Sequence, residues 1–158
     1  MHNKFILSLK GCDASILIDS KNNSKAEKDA SDSIFLRGFD VIDEIKENVE
    51  TACPSTVSCA DIIPLAARDA LGLAGGPRYE VPTGRRDGLR SNSQDVDIPE
   101  PDDPVPDIVA FFNQKGFTLT EMVTLFGAHT VGVAHCGFFE DGLRGRDSDP
   151  NMDPTLRA

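Results

Sequence analysis

The chain has 158 residues, enough for one modest domain with a single hydrophobic core. Its 16 Lys and Arg residues and 26 Asp and Glu residues give a net charge of −10, which argues against binding to nucleic acid or to an anionic membrane. No apolar run approaches the roughly 18 residues that a membrane-spanning helix needs. The first ten residues hold only a short apolar stretch and predict no clear signal peptide.

The first half of the chain carries two helical patterns. Residues 20–33 are polar and predict a loop. Apolar side chains near helical spacing predict an amphipathic helix over roughly 38–51. A second, more apolar helix is expected between Ser58, which has an acidic residue three positions later, and the glycine pair at 75–76. Pro64 lies inside this pattern and predicts a kink, because proline removes a backbone donor.

The second half begins with a long segment that has no helical period. Residues 77–107 are rich in proline and predict a surface segment with a short strand at 79–81. A helix is expected at about 106–115, where a glycine follows. The next helix is expected to begin with Thr118, and Glu121 lies at its capping-box position.

His129 closes the apolar pattern of this last helix. Four side chains fall on one face at spacings of three and four residues: Met122, Leu125, Phe126 and His129. On the residues alone, three interpretations of His129 stay open. It is a packed core histidine, a ligand of a metal or of haem iron, or part of a zinc site with His135, Cys136 and one further cysteine.

Several long blocks of sequence carry a resemblance to a known family. They read "GCDASILIDS", "EKDA", "LRGFDVIDEIKENVETACPSTVSCADII", "GGPRYEVPTGRRDG" and "LFGAHTVGVAHC". In this order they resemble the class III plant secretory haem peroxidases. The resemblance implies a mainly α fold, the central portion of the haem-peroxidase helical fold with long Pro/Gly-rich loops. It implies a divergent start at residues 1–10, which does not match the family, and a partial haem peroxidase domain at residues 11–158.

The resemblance also implies an activity and a setting. The family uses haem b and calcium, reduces hydrogen peroxide and oxidises small phenolic donors. By that resemblance we expect an extracellular or vacuolar monomer with no nucleic-acid or membrane partner.

Matched position by position, the second half of the chain holds several family site residues. His129 resembles the axial ligand of the haem iron, and Thr130 beside it resembles a ligand of the proximal calcium. Pro99 matches the proline at the edge of the haem where donors bind. Asp61 and Arg85 match an ion pair that supports the fold.

The distal calcium site is matched near the start of the chain. Gly11, Asp13 and Ser15 resemble three of its ligands, and Glu27 resembles the acidic residue that closes the site through water. Oxygen ligands of this kind suit a hard cation.

The chain departs from the family at the distal side. By counting back from Gly11, Phe5 holds the place of the distal histidine and Met1 holds the place of the distal arginine. Ile6 and Leu9 hold the places of two further calcium ligands. We therefore expect a truncated peroxidase that lacks the distal Arg/His segment and the C-terminal part.

Two alternatives to an active peroxidase stay open. One is a non-catalytic truncated remnant that binds haem weakly or not at all. The other is a zinc-binding or purely structural module. The resemblance further implies that no family disulfide is intact within the chain, and it leaves open the disulfide state of its four cysteines, Cys12, Cys53, Cys59 and Cys136.

Overall fold

The computed structural model describes residues 12–22, 24–101, 103–130 and 132–138, together with residues 140 and 155. Within these residues the regular structure consists of α-helices and short 3-10 turns, without β-strands. The helices are α1 (Phe39–Ala52), α2 (Cys59–Leu73), α3 (Val105–Gln114) and α4 (Leu119–Gly127). The predicted mainly α fold is confirmed. The chain divides into two compact units, Met1–Asp97 and Ile98–Ala158.

Helices α1 and α2 pack against each other in the first unit. Helix α1 begins after Gly38, whose φ of 93° lies in the left-handed region that favours glycine. Its bounds agree with the predicted helix to within a residue at each end. The buried side chains of this unit are mostly small or β-branched, and Ala60 and Ile62 on α2 are 2% and 3% exposed.

The polar stretch at residues 20–33 is a loop, as predicted, but it contributes to the buried interior. It contains a 3-10 turn, Glu27–Asp29, between Ala26 and Ala30. Ala26 is 2% exposed and Ser33 is also 2% exposed. Small side chains in this polar loop are therefore buried. The sequence did not predict this, because the loop has no periodic apolar residues.

Helix α2 runs through its internal proline as one element. Ser58 caps its start, because the Ser58 hydroxyl accepts a hydrogen bond from the Asp61 N–H at 3.1 Å. The Gly76 N–H donates to the carbonyl of Leu71 at 2.9 Å and closes the last turn. Pro64 therefore does not end the helix, although it removes one backbone donor from it.

The segment between α2 and α3 is irregular, as its proline content predicts. The expected strand at residues 79–81 is wrong, because these residues pair with no strand in the described part of the chain. One 3-10 turn, Ser93–Asp95, interrupts the segment. An extended stretch without a partner strand leaves its backbone groups to solvent or side chains.

Helices α3 and α4 form the second unit around Phe112 and Met122, which are 8% and 6% exposed. The Phe112 ring lies 5.9 Å from the Phe117 ring and 5.7 Å from the Phe126 ring, measured between centroids. The predicted capping box of α4 is confirmed. The Thr118 hydroxyl accepts from the Glu121 N–H, and the Glu121 carboxylate accepts from the Thr118 N–H at 2.8 Å.

Candidate functional site

His129 lies directly after α4, in the 3-10 turn Ala128–Thr130. Its ring is exposed and lies 6.1 Å from the Phe126 ring, with an angle of 36° between the two planes. Of the predicted apolar face, Met122 is buried, Leu125 is half-buried and Phe126 is 40% exposed. The exposure of this face therefore increases from the start of α4 to its end, and His129 lies at the exposed end. The interpretation of His129 as a buried core histidine is wrong.

The backbone near His129 determines which ring nitrogen can bind a metal. Nδ1 lies 3.3 Å from the carbonyl oxygen of Phe126. The tautomer with its proton on Nδ1 donates to this carbonyl and leaves the lone pair on Nε2. Ligating histidines commonly hold their second nitrogen on a backbone carbonyl in this way. The donor type and its support therefore fit an axial ligand of haem iron.

Thr130 and Pro99 lie in the same unit as His129. Thr130 is exposed, and its hydroxyl donates to the carbonyl of Gly127 at 2.8 Å. The hydroxyl oxygen keeps lone pairs that can face a cation. Pro99 is half-buried in the segment before α3.

The structure brings together three of the residues matched to the distal calcium site. The Ser15 hydroxyl lies 3.0 Å from both carboxylate oxygens of Glu27, and both residues are buried. The Asp13 carboxylate accepts from the Ser15 N–H at 3.2 Å. Two carboxylates and a hydroxyl in one cluster fit the oxygen preference of calcium. Gly11, the fourth predicted residue, lies outside the described residues.

Asp61 and Arg85 form the predicted ion pair, with 3.1 Å between Arg85 Nη1 and Asp61 Oδ1. The backbone N–H of Gly84 also donates to the Asp61 carboxylate at 2.6 Å. This N–H foremost, and then the backbone and guanidinium of Arg85, hold the pKa of Asp61 below its ordinary value, although burial acts in the opposite direction. Asp61 is 6% exposed, so the pair is anchored in the interior at the carboxylate end.

Two further side chains have positions that the sequence did not indicate. The Asp87 carboxylate accepts hydrogen bonds from the first two backbone N–H groups of α2, at 3.1 and 2.8 Å. The Ser91 hydroxyl accepts from the Glu27 N–H at 2.9 Å. Both residues lie in the irregular segment after α2, far along the chain from their partners. The sequence around Asp87 and Ser91 holds no local pattern that could have predicted these contacts.

The zinc hypothesis is not supported by the part of the chain that the structure describes. No group of three or more His, Cys, Asp or Glu side chains is close enough there to hold a metal ion. Cys12, Cys53, Cys59 and Cys136 are free thiols in the part of the chain that the structure describes. Cys59 is half-buried, and this burial, together with the nearby Asp87 carboxylate, raises the pKa of its thiol.

Among the described residues, the helices are all too short or too polar to cross a membrane. This agrees with the absence of long apolar runs in the sequence.

Comparison with known proteins gives a consistent set of relatives. A family model described as peroxidase matches residues 1–158. Peroxidase 44 of Arabidopsis thaliana is 50% identical over 157 residues, which cover 99% of this chain and 50% of the relative. Peroxidase 57 of the same plant is 52% identical over 160 residues, which cover 98% of this chain and 49% of the relative. The chain spans about half the length of the curated relatives it matches.

Proposed function

Because the chain belongs to the peroxidase family, we propose that it takes part in the oxidation of small phenolic donors by hydrogen peroxide, with haem b as cofactor. The observation that carries this proposal is the setting of His129. An exposed imidazole at the end of a helix has one nitrogen supported by a backbone carbonyl and the other available to iron. Bound haem would supply the redox-active iron at which peroxide is reduced.

In this proposal the residues around His129 orient its ring. With its proton on Nδ1, the His129 ring would donate to the Phe126 carbonyl 3.3 Å away, which favours the tautomer that leaves Nε2 free. The Phe126 ring, which also contacts Phe112, limits the room for the imidazole on one side. Pro99 is proposed to line the edge where a phenolic donor approaches. Hydrogen peroxide and the donor are the small-molecule partners, and we propose a monomer.

We propose calcium as the second cofactor. The distal cluster of Asp13, Ser15 and Glu27, together with Gly11, would hold one ion, and Thr130 would contribute to another. A cation at the distal cluster would lie beside the buried Glu27 carboxylate, whose oxygens are of the type that calcium prefers. The proposed setting is extracellular or vacuolar, where free calcium is abundant enough for weak sites.

A second candidate is haem binding without turnover. Splitting the peroxide bond needs a distal base and a cation, and the matched positions hold Phe5 and Met1. Losing general acid–base help alone lowers rates by about 10²–10⁴-fold. This candidate shares the His129 ligand with the first and differs only in the rate of donor oxidation.

Titration of the purified chain with haem tests both candidates. We expect a Soret absorbance that is lost in His129→Ala and kept in His135→Ala, a matched exposed histidine six positions on. Guaiacol oxidation by the reconstituted chain then separates the two candidates, since only the first predicts turnover well above free haem. Unchanged haem uptake in His129→Ala would contradict both.

A further inference from the structure

Gly88 lies directly against the Asp13 side chain. Its backbone N–H donates to the Asp13 carbonyl at 2.7 Å. A Cβ atom added at position 88 would come within 2.8 Å of Asp13 Cγ and closer still to Oδ2. Gly88 does not adopt the left-handed backbone conformation. Glycine is therefore needed at position 88 for a steric reason: a larger residue would clash with the Asp13 carboxylate.

The segment that carries Gly88 is fixed on α2 at two points. The Asp61 carboxylate holds the backbone N–H of Gly84 at 2.6 Å. The Asp87 carboxylate in turn binds the first two N–H groups of α2. A residue directly after Asp87 has little freedom to move away from Asp13, so an added methyl group would have to displace the Asp13 side chain instead.

Asp13 is the carboxylate of the distal cluster that Gly88 touches. Its Oδ1 accepts from the Ser15 N–H, and the Ser15 hydroxyl donates to Glu27. We propose that Gly88 is a positioning residue for cation binding: by having no side chain, it leaves the space that the Asp13 carboxylate occupies beside the Ser15 N–H. This inference rests on the proposed calcium site. It means that Gly88, which lies outside the loop of ligands, also determines the calcium affinity of that site.

Calcium titration of the folded chain, followed by NMR at the Ser15 amide up to about 10 mM calcium chloride, tests the proposal. In Gly88→Ala we expect the dissociation constant to rise about 10-fold or more, the size of effect seen when the support of a metal ligand is lost. Gly72→Ala is the matched control. A Cβ there meets only Arg78 Cγ at 3.9 Å, so calcium affinity should equal that of the wild type.

The outcomes separate this inference from the proposed calcium site. If the wild type binds and Gly88→Ala binds equally well, the role of Gly88 is wrong and the calcium site stands. If the wild type shows no saturable shift, the calcium site itself is wrong, and the role of Gly88 fails with it. If Gly88→Ala does not fold, the double variant Asp13→Ala/Gly88→Ala decides. It should fold as well as Asp13→Ala, because the clashing atoms are gone, and failure to fold would overturn the inference.

Discussion

The guanidinium of Arg85 lies 3.1 Å from the buried carboxylate of Asp61, at the point where the irregular segment returns to α2. The backbone N–H groups of Gly84 and Arg85 point to the same carboxylate. The Asp61 carboxylate on α2 thus accepts hydrogen bonds from three donors in a loop that lies more than 20 residues further along the chain. A buried carboxylate with several donors stabilises the fold only while it is ionised.

Acid should weaken the fold through Asp61. Its pKa in the folded protein lies below the ordinary 3.8, so the unfolded chain binds the proton more readily. The stabilisation is complete above that ordinary value and is lost as the pH falls through the lower folded pKa. Asp61→Asn should be less stable than the wild type at neutral pH and should show a shallower loss of stability below about pH 4. Urea unfolding at several pH values measures both effects.

Asp69→Asn is the control for this experiment. Asp69 is on the same helix but is exposed, and it pairs with the neighbouring Arg68 at the surface. Surface pairs of this kind contribute little. Equal acid dependence of Asp61→Asn and the wild type would show that the Asp61 contacts do not govern the acid response.

Pro64 should destabilise α2, so that replacing it stabilises the protein. Proline inside a helix costs up to about 3 kcal/mol relative to alanine, since it lacks the N–H and crowds the preceding turn. Pro64→Ala should therefore raise the free energy of unfolding. Pro77→Ala, in the exposed irregular segment, should lower it slightly, because it only frees the unfolded chain. Chemical denaturation of both variants checks the opposite signs, and a loss of stability in Pro64→Ala would contradict this explanation.

Local patterns predicted the helices better than the contacts between distant segments. The spacing of apolar residues gave α1, and the Thr118 and Glu121 pair gave the start of α4, because both depend on neighbours within one or two turns. The strand expected at residues 79–81 failed because a strand exists only with a partner, which composition does not supply.

The candidate sites show the same division. The chain position of His129 after a helix followed from periodicity, but its exposure did not, since burial depends on what packs nearby. The Asp87 cap of α2 and the contact of Gly88 with Asp13 join residues far apart in sequence. The sequence carried no local signal for either, because short-range capping rules apply to residues within about three positions of the helix start.

The capping box of α4 should contribute measurably to stability. Thr118 and Glu121 each accept a hydrogen bond from the backbone of the other. Thr118→Ala should lower the free energy of unfolding by about 1 kcal/mol, and Thr118→Ser should cost much less because it keeps the hydroxyl. The comparison is made by thermal or urea unfolding. No difference between the alanine and serine variants would show that the hydroxyl is not the source of the effect.

Glu121 adds a pH dependence to the same cap. The Thr118 N–H, and then its hydroxyl, hold the pKa of Glu121 below the ordinary value of 4.5. The cap is therefore complete above that value and weakens as the pH falls through the lower folded pKa. Thr118→Ala keeps the backbone N–H and loses only the hydroxyl contact, so the difference in stability between it and the wild type should shrink slightly in acid. A constant difference down to about pH 3 would contradict the role of the Glu121 charge.

Phe126 should affect haem uptake beyond its effect on stability. Its ring lies 5.7 Å from Phe112 in the core and 6.1 Å from His129, so it joins the packing of the second unit to the proposed iron ligand. Phe126→Ala removes the ring but keeps the backbone carbonyl that faces Nδ1. We expect the variant to bind haem through His129 with an affinity about 10-fold weaker, because the imidazole loses its neighbour on one side.

Phe111→Ala is the matched control: the Phe111 ring contacts Phe112 at 5.8 Å, and it makes no ring contact with His129. Both variants should lose stability through Phe112, whereas only Phe126→Ala should weaken haem uptake in a Soret titration. Equal haem affinity of the two variants would show that the Phe126 ring acts through core packing alone.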